Sequence, residues 1–201
     1  MILPNQLTIF RIILTPVFLV LFLSKDSTLI QISFIVYIIA AITDWYDGWL
    51  ARKFNYITDW GKFWDPLADK ILTSACFIGF VIVGILPLWM VLLVILRDLI
   101  VTLLRVLADN KGISFKTTYY AKWKTLLQMV FLYYLLVGYV LQNTPYFVNN
   151  YNEYIVIMMN ENLIFIVMLI ITLITVHSGI SYLNANSDLI KKIFNETNKL
   201  V

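Results

Sequence analysis

Four aspartates set the chemistry open to this sequence. Asp44 and Asp47 stand three apart, and Gly48 and Ala51 continue their row at i+4 and i+7, so on a helix all four share one face. Gly61, Asp65 and Asp69 repeat the arrangement at i, i+4 and i+8. Each helix therefore offers two carboxylates beside residues with little or no side chain. A carboxylate near the centre of a bilayer costs about 2.5–3.5 kcal/mol on insertion scales and less near the interface, and four facing one another repel. Such a cluster stays ionised only with cations among its members. An all-oxygen ligand set suits a hard divalent ion, Mg²⁺ first, with Mn²⁺ or Ca²⁺ as alternatives. Four carboxylates suffice for two ions, and an ion pair a few ångströms apart can clamp a phosphoryl group as it transfers. Gly48, Ala51 and Gly61 leave room for a bulky ligand. Arg52, one step past that face, is placed for a bidentate phosphate contact. Taken alone, Gly48 and Ala51 would read as close helix packing, and a lone intramembrane aspartate as a proton relay.

The elements that must carry these residues are transmembrane helices. Of the 201 residues, 61% are hydrophobic and 13% charged, about half the charged share of a soluble domain. Six apolar segments are long enough to span as helix, at about 7–23, 29–51, 63–83, 87–108, 121–142 and 161–183. The fold class is thus all-α integral membrane: six transmembrane helices preceded by a short interfacial segment, "MILPNQ". Residues 1–185 form a single domain, and 186–201 a cytoplasmic tail. The first apolar stretch holds Arg11 and lacks a small-residue cleavage site, so it reads as a retained span. Cys76 is the only cysteine, which excludes an intrachain disulfide. A net charge of +3 gives no case for nucleic acid.

Lys and Arg gather between spans two and three, between four and five, and after six, whereas residues 143–160 carry none. The positive-inside rule then puts both termini in the cytoplasm. Asp44 lies about 22 Å along span two from its outer end, near the cytoplasmic edge of the hydrocarbon, and span three starts at that edge with Asp65 and Asp69. The short connection makes the two acidic helices antiparallel neighbours.

The motif reads D-x2-D-G-x2-A-R-x8-G-x3-D-x3-D from Asp44 to Asp69. It resembles the signature of the CDP-alcohol phosphotransferases, with every fixed position present. The resemblance implies a six-helix membrane fold, a homodimer, a site with two metal ions (Mg²⁺ or Mn²⁺), and displacement of CMP from a CDP-linked substrate by an alcohol. By analogy, Asp44, Asp47, Asp65 and Asp69 are the metal ligands, and Asp69 also takes the proton from the attacking hydroxyl. "LPNQLTIFRI", "DWGKFWDPLADKIL", "LRDLIVTLLR" and "AKWKTLLQMV" are similar to the phosphatidylglycerophosphate synthase branch. That branch implies CDP-diacylglycerol as donor, glycerol 3-phosphate as acceptor, and the bacterial inner membrane as location, with the site facing the cytoplasm. Where the branch more often has Ala-Arg-Glu, this chain has Leu96-Arg97-Asp98. The last seventy residues or so match only as apolar spans, as helices far from the site would.

A dianionic acceptor needs cations beyond the metals. Asp98, Thr102 and Arg105 share a row at i, i+4 and i+7, with Arg105 at the cytoplasmic end of span four. Lys122 and Lys124 open span five on the same side, too close in sequence for both to point inward. Arg97 lies about half-way along span four, where an unpaired charge is costly. Its alternative is a structural partnership with Asp98 of another helix or subunit, because neighbours on one helix diverge by about 100°. Arg105, Lys122, Lys124 and Arg97 are the candidate acceptor-phosphate residues. Positive-inside decoration is the alternative for the two lysines. Lys70 is expected to snorkel to the interface. Asn5 and Thr8 join Asp47, Gly48, Ala51, Arg52 and Gly61 as candidates for the CDP-lipid, with N-capping as their other reading. The competing functions are the same chemistry on another acceptor (phosphatidylglycerol, serine or inositol phosphate) and, from a different class, a divalent-cation transporter.

Overall fold

Hydropathy draws six long helices, and the computed structural model contains six within a few residues of those spans, plus one that hydropathy does not draw. It describes residues 3–54, 59–110, 119–187 and 189. Among these the chain is helical with no strand: α1 (Leu3–Phe22), α2 (Ser27–Phe54), α3 (Asp59–Ile82), α4 (Leu88–Asn110), α5 (Tyr119–Asn143), α6 (Pro145–Met158) and α7 (Glu161–Ala185). From Leu3 onward the opening stretch is helical and continuous with the rest of α1. The side chains of Asn5, Asp44, Asp47, Gly48, Ala51 and Arg52 lie outside the described residues, although their backbone belongs to α1 and α2.

The stretch 143–160, read from the sequence as a loop, is mostly α6. Pro145 sits in its first turn, where a missing N–H costs nothing. Non-helical backbone at Tyr151 kinks it. Fourteen residues of helix span about 21 Å, short of a hydrocarbon core of about 30 Å. Asn160 then caps α7 by accepting from the Leu163 N–H at 3.1 Å. The Tyr134 hydroxyl donates to the Met158 carbonyl, and Gln31 donates to Thr144 at 3.0 Å, which ties α6 to the end of the bundle where α2 begins and α5 stops.

The outer faces of the bundle are apolar, and several polar and charged side chains are buried within it. Leu92, Leu96, Ile100, Leu103 and Leu107 of α4, and Ile32, Ile35, Ile39 and Ile42 of α2, are exposed at helical spacing. Thr8, Arg11, Asp98, Lys124, Gln128 and Ser178 are buried. Two stretches, Lys122–Asn143 and Glu161–Ala185, are long and apolar enough to cross a membrane by length and composition. Gln6–Phe22 of α1 and Ser27–Thr43 of α2 are shorter apolar stretches. An apolar exterior, with buried charges gathered inside an otherwise apolar core, suits a lipid environment.

α1 is the central wedge. Its buried stripe, Thr8, Arg11, Thr15, Phe18 and Phe22, repeats every three or four residues, polar towards its start and aromatic towards its end. The Phe22 ring meets Phe80 of α3 at 5.1 Å and Tyr139 of α5 at 4.7 Å, forming an aromatic core away from the acidic end. α1 packs against both α2 and α3, whereas among the described residues α2 and α3 touch each other only lightly. Most of the packing of both acidic helices among the described residues is thus supplied by α1, while residues 55–58 that connect them lie outside those residues. On the far side, α4 packs between α3 and α7. Gly84, at φ +81°, makes the tight turn from α3 towards α4, with the Ile85 N–H returning to the Phe80 carbonyl at 2.9 Å.

Candidate active site

Asp65 and Asp69 occupy successive turns of α3, just after Gly61, which is buried. Thr8 of α1 is fully buried and donates its hydroxyl to Asp65 at 2.5 Å. Arg11, one turn further along α1 and also fully buried, places its charge where it acts on the same carboxylate. α1 therefore supplies a neutral donor and a cation to one face of the acidic helix. Arg11 was absent from the candidates drawn from sequence. Its signal was an arginine inside an otherwise apolar span, which as a rule marks function.

Asp69 faces another group of elements. Lys70 folds back onto its carboxylate at 2.7 Å and does not snorkel to the interface as expected. Thr73 hydrogen-bonds the Asp69 carbonyl at 3.1 Å. Asp69 lines a cavity of about 630 Å³ between α3, α4 and α5, together with Lys70, Arg97, Asp98, Arg105 and Lys122. The row Asp98, Thr102 and Arg105 opens onto this space along its length. The structure thus brings the proposed proton acceptor and three of the four candidate acceptor-phosphate residues to one cavity. A second cavity, about 490 Å³ between α5, α6 and α7 near Gln142 and Glu161, contains none of the candidate residues.

Lys124 is the fourth candidate, and it lies behind the wall. Its side chain is 1% exposed, and its ammonium reaches Asp98 at 2.5 Å. Lys122 is exposed, so the two lysines do point different ways. Arg97 pairs with Asp98 on its own helix at 3.0 Å, which corrects the expectation that adjacent residues would not meet. The guanidinium stem is long enough to bend back across the 100° between them. Its other amino group donates to Ser178 of α7 at 2.7 Å. Tyr182, one turn beyond Ser178, lies near Arg105, Asp109 and Arg97. α7 therefore touches a residue of the cavity wall, which a reading of the last seventy residues as apolar spans alone does not convey, although no α7 residue lines the cavity itself among the described residues. A single serine in an apolar helix left little trace of this in the sequence, apart from the small Ser178–Gly179 step that permits close approach.

For a divalent ion the donor chemistry fits: Asp65 and Asp69 present oxygen ligands of the kind a hard cation takes, in a wall that balances carboxylates with cations. Among the described residues no three potential ligands converge, and Asp44 and Asp47, which would complete the set, fall outside them.

Comparison with known proteins gives consistent relatives. The family model described as CDP-alcohol phosphatidyltransferase matches residues 1–178. A CDP-diacylglycerol–glycerol-3-phosphate 3-phosphatidyltransferase of Bacillus subtilis is 38% identical over 156 residues, covering 72% of this chain and 79% of the relative. Proteins of the same name from Rickettsia typhi, 37% identical over 68% of this chain and 76% of their own, and from Salmonella paratyphi A, 39% identical over 66% and 75%, are similar to it as well.

Proposed function

The chain belongs to the CDP-alcohol phosphatidyltransferase family, and from that premise we propose that it transfers the phosphatidyl group of CDP-diacylglycerol to glycerol 3-phosphate, giving phosphatidylglycerophosphate and CMP. The observation that carries the choice of acceptor is the cavity that unites Asp69 with Arg97, Arg105 and Lys122. A carboxylate able to take a proton and a wall of cations suited to a phosphate share one space large enough for a three-carbon phosphoester.

In this reading the donor headgroup lies on the side of α1 and α2, served by Asn5, Thr8, Asp47, Gly48, Ala51, Arg52 and Gly61. Its acyl tails remain in lipid beside the apolar helix faces. Asp44, Asp47, Asp65 and Asp69 hold divalent ions, two Mg²⁺ or Mn²⁺ in our reading, and when bound these supply charge stabilisation to the phosphoryl oxygens. Divalent-metal dependence goes with the family. Thr8 and Arg11 orient Asp65. Arg105 and Lys122 bind the acceptor phosphate and so aim its 1-hydroxyl at the lipid-bearing phosphorus. Asp69 accepts the hydroxyl proton as the new P–O bond forms. The bond to the CMP phosphate breaks, and CMP leaves with the electron pair. Positioning and electrostatics carry the reaction. We further read the protein as a multi-pass homodimer of a bacterial cytoplasmic membrane, with six spanning helices and with both termini and the site on the cytoplasmic side. The short α6 leaves that alternation intact.

The decisive experiment measures CMP release by the purified protein from CDP-diacylglycerol against glycerol 3-phosphate, phosphatidylglycerol, serine and inositol phosphate. Glycerol 3-phosphate should support turnover far above the others. Turnover with a different acceptor, and none with glycerol 3-phosphate, would overturn the assignment.

A further inference from the structure

One member of the cavity wall has no part in the transfer as described: Asp98, with Lys124 behind it and Arg97, seated on Ser178 and Gly179, beside it. A carboxylate is an odd occupant for the wall of a cavity that takes a phosphate. Its contacts explain it. Asp98 Oδ1 accepts from both Lys124 Nζ and Arg97 Nη1, so one oxygen is shared by two cations. Without that oxygen the two like charges would repel across a buried space, and Arg97 would be free to swing along α4. Two cations against one anion still leave this part of the wall net positive.

α7 completes the arrangement. Ser178 accepts from Arg97 Nη2. A methyl group built on Gly179 would stand 2.9 Å from Arg97 Cγ, so the bare glycine is what lets the stem lie against α7. Lys124 cannot itself reach an acceptor, since it is buried behind Asp98. Its contribution passes through the carboxylate.

We propose that Asp98 is a positioning residue for the phosphorylated acceptor, holding Arg97 and Lys124 as an oriented cation pair, with Ser178 and Gly179 of α7 as the seat that fixes the guanidinium beside Asp69. This rests on the reading that the cavity takes a phosphorylated alcohol. Asp98 then governs acceptor affinity and leaves the CDP-lipid side untouched, because Thr8 and Arg11 of α1 act on Asp65, and none of these three lines the cavity that Asp98 lines.

The test is steady-state kinetics of the full chain in detergent, with each substrate varied in turn. Asp98→Asn should raise the KM for glycerol 3-phosphate about tenfold or more and leave the KM for CDP-diacylglycerol within about twofold. Asp98→Glu, which keeps the charge, should bring the acceptor KM back to within about threefold of wild type. Gly179→Ala displaces Arg97 without changing any charge and should raise the acceptor KM by about threefold or more. Should Asp98→Asn fail to fold, Ser178→Ala and Gly179→Ala carry the same test. Variants whose acceptor KM is unchanged, or whose two KM values rise in parallel, overturn the proposal. A wild-type protein that works on another phosphorylated alcohol refutes only the acceptor's identity, and the split is then read on that alcohol. A wild-type protein inactive with every acceptor overturns the activity and this inference together, whereas an active wild type without the split overturns this inference alone.

Discussion

Asp69 stands where two sets of side chains meet, and its variants should show it. Asp69→Asn keeps size and most hydrogen bonding but removes the negative charge and the proton-accepting oxygen. Turnover should fall by at least about 10²–10⁴-fold, the range for a lost general base, while the protein still elutes as a folded particle in detergent. Near wild-type CMP release from this variant would remove Asp69 from the chemistry. Thr8 offers a finer probe. Its hydroxyl bonds an acidic group inside the bundle, and a hydrogen bond to a charged partner is worth about 1.5–3 kcal/mol. Thr8→Val preserves shape, so kcat/KM should drop about tenfold to a hundredfold with little change in melting temperature. An unaltered kcat/KM would mean that the contact is structural only.

At the level of elements, the long apolar runs could be read from composition, because about 20 consecutive apolar residues have few other destinies. So could the placing of Asp65 and Asp69 on successive turns of α3, since helical spacing alone dictates it. Three things could not. α6 is a mixture of Asn, Tyr and apolar residues, and its helical signals, Pro145 after Thr144 and a capping Asn160, say nothing about span length. The packing of α1 against both α2 and α3 depends on how Thr8, Arg11 and the Phe18–Phe22 stripe fill space, which a hydropathy profile does not contain. The pairing of Arg97 with Ser178 joins residues 81 apart through a contact that only packing creates. A prediction follows for α6, which is fastened by few polar contacts. Tyr134→Phe removes the bond to the Met158 carbonyl, worth about 0.5–1.5 kcal/mol. Limited proteolysis within residues 143–160 should speed up, and CMP release should stay the same, because α6 lies at the far end from Asp69. Equal cleavage rates would show that the tyrosine does not hold α6.

For the molecule as a whole, the proposed orientation, with both termini on the cytoplasmic side, is one that labelling can check. Cys76 is buried and contributes little background. In intact cells stripped of any outer envelope, a membrane-impermeant maleimide should react with Asn150→Cys, whose site is exposed at the α6 end. It should react with Lys199→Cys in the tail only after the cells are opened. The reverse pattern would turn the protein over in the membrane and place Asp69 away from the cytoplasmic substrate.

The seat for Arg97 belongs to α7, the last long helix among the described residues. A polypeptide still emerging from the ribosome carries all four aspartates of the motif long before it carries Ser178 and Gly179. Until that helix arrives, the guanidinium has Asp98 but nothing to lean on. The acidic motif is therefore made well before the seat, and a chain cut off ahead of α7 would lack the serine and the glycine against which Arg97 rests.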